Sequence, residues 1–135
     1  NMQFVATSIL DFELSATSTN AGANINDLLQ IAAGGGLDGD LVLAGTLQWT
    51  NVASVVGQGW TNGDFWTLIT YEGDLTDTGI GLGLLPTLDD GLTWALDTSI
   101  AGEVRLAVVI PEPSTWALLV IGFGAIAVLS RRRRG

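Results

Sequence analysis

The sequence predicts an all-β outer domain over residues 1–110, followed by one C-terminal transmembrane α-helix. Two observations predict the β domain: its apolar residues come in short groups that alternate with polar or small residues, and Gly, Asp, Asn and Thr separate these groups. A third observation predicts the helix, because residues 116–129 form an apolar run without any charge. No stretch before residue 111 sustains a helical period.

Eight segments of the outer domain are predicted to be strands, since residues that favour turns separate them. The alternation is clear at Phe12, Leu14 and Ala16, which indicates that one face of that strand is buried. Glycine-rich groups at residues 34–36 and 79–83 can adopt the positive φ angles of tight corners. The predicted strands are residues 3–7, 12–16, 27–32, 40–44, 46–50, 65–71, 93–97 and 103–110.

Many short strands suit either a β-solenoid or a β-sandwich, and the sequence favours the solenoid. Residues 27–36, 40–47 and 66–76 resemble the passenger repeats of autotransporter-like surface proteins. The resemblance implies a fragment of a right-handed parallel β-helix, with residues 92–99 and 103–109 following its last coils. The β-sandwich remains the alternative.

The apolar run is expected to anchor the chain in a membrane. Eight of its residues at about 0.3–0.6 kcal/mol each supply roughly 2.5–5 kcal/mol of insertion free energy. Its 14 residues span about 21 Å, less than the roughly 30 Å hydrocarbon core, so the flanking residues must help. The predicted anchor residues are Trp116, Leu118, Leu119, Val120, Ile121, Phe123, Ile126, Val128 and Leu129.

The tail combines a Pro-Glu-Pro tripeptide, the apolar run and a basic block in fixed order, and this order resembles the PEP-CTERM sorting signal of exported bacterial proteins. The resemblance implies that exosortase, a membrane-embedded protease, recognises and cleaves the tail. The implied recognition residues are Pro111, Glu112, Pro113, Ser114 and Thr115.

The arginines would hold the C-terminus in the cytoplasm and leave the outer domain outside until processing releases it to the cell surface. These orientation residues are Arg131, Arg132, Arg133 and Arg134.

The predicted organisation is a β-rich exported domain over residues 1–110 and a sorting signal over residues 111–135. The signal divides into the 111–113 motif, a transmembrane helix at 114–130 and a basic tail at 131–135. The chain opens Asn1-Met2-Gln3-Phe4, without the basic and apolar segments of a signal peptide, so we expect it to be the C-terminal part of a longer chain.

The charge of the outer domain excludes several classes of partner. Residues 1–110 contain thirteen of the fourteen acidic residues and one of the five basic ones, Arg105, which gives a net charge of −12. Such a domain repels nucleic acids.

The chain contains no Cys, Lys or His. We therefore expect no enzyme, cofactor or metal site; the expected partners are exosortase and, through the helix, membrane lipid.

The predicted function is that of a non-enzymatic exported surface or extracellular-matrix protein, a structural role. The alternative is a carbohydrate-binding or carbohydrate-degrading surface module with the same sorting tag, for which a surface polysaccharide would be the partner. Trp49, Trp60, Trp66 and Trp94 could form a stacking platform for sugars, but tryptophans near strand ends more often fill a core. Three acidic pairs suggest calcium, yet none has a third ligand in register: Asp38 with Asp40, Asp74 with Asp77, and Asp89 with Asp90. Burial of Trp60 and Trp66 would favour the structural role.

Overall fold

A computed structural model describes residues 1–15, 26–50, 59–111 and 115–132. The described part is mostly β, with eight strands and a C-terminal helix. The elements are β1 Met2–Gln3, β2 Ile9–Phe12, β3 Leu29–Ile31, β4 Leu41–Trp49, β5 Phe65–Tyr71, β6 Leu75–Leu82, β7 Thr93–Asp97, β8 Glu103–Val109 and α1 Thr115–Arg132.

The first sheet is built around β4 and is parallel throughout. On one edge β4 pairs with β1 and then with β2, and on its other edge it pairs with β6. Gly45 lies where β4 changes partner from β1 to β2. Its φ of 95° favours glycine, and the close approach of the Ser8 carbonyl oxygen leaves no room for a Cβ atom.

The second sheet has the order β3, β5, β8, β7 and is mixed. β3 pairs with β5 in parallel, whereas β8 lies antiparallel between β5 and β7. Only five residues separate the end of β7 from the start of β8. A connection this short allows an antiparallel return but not a parallel crossover.

Both sheets contribute to one apolar core. Leu41, Leu43 and Leu47 of β4 are buried, as are Leu68 of β5 and Leu106 of β8. Each such side chain contributes about 1.5–3 kcal/mol relative to an exposed one. Fully buried and partly buried residues alternate along β8, which places every second side chain in this core.

Four tryptophans meet at one end of the core, with ring centroids 5.2–5.9 Å apart in every pair. Three indole nitrogens donate to backbone carbonyls: Trp49 to Leu14 at 3.2 Å, Trp66 to Ser15 at 3.1 Å and Trp94 to Pro86 at 2.8 Å. These bonds satisfy indole N–H groups that burial would otherwise leave unpaired. The fourth member of the cluster is Trp60.

The strand predictions were correct in some segments and wrong in others. Residues 65–71 and 93–97 are strands with the expected bounds, and the segments at 40–44 and 46–50 join into the single strand β4. The segment predicted at 12–16 was displaced, since β2 ends at Phe12. Strand β6 was missed because Gly79 and Gly81, interpreted as corner residues, lie within it.

The predicted fold class was wrong in its architecture. A solenoid requires parallel coils stacked in succession, but β8 runs antiparallel between β5 and β7 and interrupts the stack. The antiparallel β-sandwich is also not observed, because the first sheet is wholly parallel.

The predicted transmembrane helix was wrong as well. Helix α1 covers Thr115–Arg132, but no helix within the described residues is both long enough and apolar enough to cross a membrane. The physical reason is length: the 14 uncharged residues from 116 to 129 span about 21 Å of a roughly 30 Å core, and Ser130 and arginines follow them.

Candidate sorting site after strand β8

Strand β8 is the last strand before the tail, and neighbouring strands hold it on both edges. It pairs with β5 on one edge and with β7 on the other, and the Thr93–Val109 pair extends this ladder to its last residue. Val104 and Val108 are fully buried. The chain is therefore fixed up to Val109 by hydrogen bonds on both sides and by core packing.

A four-residue turn, which we call the exit loop (residues 61–64), fastens the end of β8. Its Gly63 N–H donates to the Val108 carbonyl at 2.9 Å, and the Val108 N–H donates to the Asp64 carbonyl at 2.8 Å. One residue beyond the strand, the Ile110 N–H donates to Oδ1 of Asn62 at 3.0 Å. The exit loop thus holds the backbone up to the residue immediately before Pro111.

Hydrogen bonds within the exit loop stabilise its own conformation. The Thr61 N–H donates to Oδ2 of Asp64 at 2.8 Å, and the Asp64 N–H donates to the Thr61 carbonyl at 3.1 Å. Gly63 has a φ of 99°, which favours glycine. Trp60 and Trp66 lie in the core on either side of the loop. Sequence reasoning missed the loop as a site element: its Asn-Gly pair signals a turn, but nothing local identifies Ile110 as its partner.

The predicted recognition residues begin where this support ends. Ile110 is 57% exposed and Pro111 is exposed. Glu112, Pro113 and Ser114 lie outside the described residues, and Thr115 is the first residue of α1. The assignment of residues 111–115 as the recognition element stays a prediction.

The predicted anchor and orientation residues lie on α1 and beyond it. Trp116, Leu118, Leu119 and Val120 belong to the first part of α1. The remaining anchor residues are 62–67% exposed: Ile121, Phe123, Ile126, Val128 and Leu129. Arg131 is exposed, Arg132 ends the helix, and Arg133 and Arg134 lie outside the described residues. The orientation expected from the arginines stays a prediction.

Charged groups on β7 and β8 reinforce the strand that carries the tail. Arg105 bonds Oε2 of Glu103 at 2.6 Å, and its guanidinium carbon lies 4.4 Å from the centre of the Phe65 ring. Both charged side chains are partly exposed, so the ion pair contributes no more than about 1 kcal/mol. Hydrogen bonds from the Ser99 hydroxyl and N–H lower the pKa of Asp97. Asp97 of β7 lies opposite Arg105 of β8 in the strand register.

The residues considered for sugar and calcium binding have structural roles. Trp60 and Trp66 are 7% and 0% exposed, so neither presents a ring face on which a sugar could stack. Oδ1 of Asp40 accepts the Asp74 N–H at 3.0 Å, and Oδ1 of Asp77 accepts the Gly79 N–H at 2.9 Å. The Asp40 carboxylate thus joins two segments that lie 34 residues apart in the chain, and the Asp77 carboxylate stabilises a local turn.

Two comparisons with known proteins find a similarity to this chain. A 101-residue stretch, 75% of this chain, is 38% identical to the adhesin BmaC autotransporter of Brucella suis biovar 1 (strain 1330). The chain spans only 2% of the length of that relative. No solved structure matches the chain. The family model of the PEP-CTERM protein-sorting motif matches residues 109–134. The chain therefore carries a PEP-CTERM protein-sorting motif at residues 109–134, which implies exosortase-dependent export to the cell envelope or surface.

Proposed function

We propose that this chain is a non-enzymatic surface or extracellular-matrix protein whose tail is recognised and cleaved by exosortase after export. One observation carries the proposal: the sorting motif starts at Val109, the last residue of β8. The motif thus lies almost wholly outside the folded β domain. Cleavage within it would release the domain intact.

The chemistry of the Pro-Glu-Pro segment suits recognition by a protease. Pro111 and Pro113 have no N–H and fixed φ angles, and each disfavours helix at the residue before it. Glu112 adds a carboxylate that can accept strong charge-assisted hydrogen bonds. We assign recognition to residues 111–115 and expect Glu112 to contribute most of the specificity.

The outer domain is proposed to act as a displayed surface rather than as a catalyst. Its net charge of −12 keeps it soluble and unable to bind polyanions through electrostatic attraction. The adhesin relative supports a role in surface contact. The carbohydrate-binding alternative has less support, because burial of Trp60 and Trp66 removes the stacking platform on which it depended.

The test compares two otherwise identical bacterial hosts, one with an exosortase that processes PEP-CTERM proteins and one with its gene deleted. The protein is recovered from the cell surface and the envelope, and its intact mass is measured. We expect loss of the tail, and display of the β domain at the surface, only in the host that has the enzyme. Equal masses from the two hosts would contradict the proposal.

A further inference from the structure

The exit loop and the sorting motif meet at one hydrogen bond, from the Ile110 N–H to Oδ1 of Asn62. We infer that Asn62 is a positioning residue for tail removal, which fixes the backbone immediately before the Pro-Glu-Pro segment. This inference rests on the proposed function and adds to it a residue 48 positions upstream, outside the sorting motif.

The loop is suited to this role because it is fixed from both ends. Trp60 before it and Trp66 after it are core residues with ring centroids 5.3 Å apart. The Asp64 side chain closes the turn onto the Thr61 N–H, and Gly63 and Asp64 both bond Val108. The Asn62 side chain therefore reaches Ile110 from a loop whose backbone is held by hydrogen bonds on both sides of Asn62.

The contact acts on the Pro-Glu-Pro segment through the residue that immediately precedes it. Holding the Ile110 amide fixes the residue that immediately precedes Pro111, and a protease then has one residue fewer to order when it binds the motif. Val109 is held through β7 in any case, so the bond to Asn62 determines whether the fixed chain ends at Val109 or at Ile110. An exposed hydrogen bond of this kind corresponds to roughly a 2- to 10-fold change in rate.

The experiment measures the rate of tail removal by pulse–chase in the exosortase-positive host, using the full chain. In Asn62→Ala the acceptor is lost, and we expect removal to slow roughly 2- to 10-fold. In Asn62→Asp an acceptor oxygen is retained, and we expect a rate close to that of the wild type. Thr76→Ala, at an exposed position of β6, is the control for loss of a surface polar group.

A second variant separates positioning from folding. Insertion of Gly-Ser between Ile110 and Pro111 keeps the bond to Asn62 but detaches the Pro-Glu-Pro segment from it, so removal should slow as in Asn62→Ala. Thermal unfolding of each variant, followed by the fluorescence of the tryptophan cluster, reports the fold. If Asn62→Ala is processed at the wild-type rate or faster, Asn62 does not position the motif, whatever the rate of the insertion variant. Failure of the wild type to be processed would instead contradict the proposed function.

Discussion

The indole rings of Trp49 and Trp66 meet edge to face with their centroids 5.2 Å apart, although Trp49 belongs to β4 of the first sheet and Trp66 to β5 of the second. Both side chains are fully buried. This contact joins the two sheets at the end of the core that also carries the exit loop. The stability of the outer domain and the position of the sorting motif thus depend on the same cluster.

Replacing Trp66 by Ala should destabilise the β domain by about 3–5 kcal/mol, because it removes a fully buried aromatic side chain and leaves a cavity among three other indoles. It also leaves the Ser15 carbonyl without the indole N–H that it accepts. Urea unfolding followed by circular dichroism measures the change, with Thr76→Ala as the control. A loss below about 1 kcal/mol would contradict the core position of this ring.

Replacing Gly45 by Ala should cost about 2–4 kcal/mol, which combines backbone strain at a φ of 95° with the clash of a new Cβ atom against the Ser8 carbonyl. Gly35→Ala is the matched control: Gly35 also has a positive φ, but a Cβ atom there would have no neighbour within 4 Å. The control should cost about 1 kcal/mol from strain alone. Equal losses in chemical denaturation would show that β4 does not need the close approach of Ser8.

Replacing Glu112 by Ala should block removal of the tail in the exosortase-positive host, since the carboxylate between the two prolines is the charged acceptor of the motif. The stability of the β domain should not change, because the motif leaves the domain after β8. Asp90→Ala removes an equal charge from an exposed position and should be processed normally. The measurement is the intact mass of each recovered protein. If Glu112→Ala loses its tail as readily as Asp90→Ala, Pro-Glu-Pro serves only as a linker.

Replacing Ser99 by Ala should lower stability at neutral pH by less than about 1 kcal/mol, because it removes the hydroxyl bond to the partly exposed Asp97 carboxylate. The lowered pKa of Asp97 means that this carboxylate stabilises the fold above its unfolded-state pKa of about 4, and that the contribution is lost as the pH falls through the lower folded-state value. The wild type and the variant should therefore differ at pH 7 and converge in strong acid. Urea titrations across this range provide the test, and a difference that is constant with pH would exclude the carboxylate as its source.

The sequence by itself determined the features that are local. The sorting motif could be recognised because its tripeptide, apolar run and arginines are contiguous and need no tertiary contact. Strands β5 and β7 were predicted with their observed bounds, since each is a compact run rich in β-branched or aromatic residues between turn residues. A core position for the tryptophans was also the favoured expectation, and Trp49, Trp60 and Trp66 are buried.

Tertiary structure alone decided how these elements combine. Strand β8 lies antiparallel between β5 and β7 and does not continue the parallel pairing of a solenoid. Its position depends on pairing between residues that are far apart in the chain, such as Phe65 and Ala107. The glycines of β6 look like turn residues until pairing with β4 makes them part of a strand. The hydrogen bond between Asn62 and Ile110 joins residues 48 positions apart. No local pattern encodes such partners, because strand pairing and side-chain contacts at this separation depend on the free energy of the whole core.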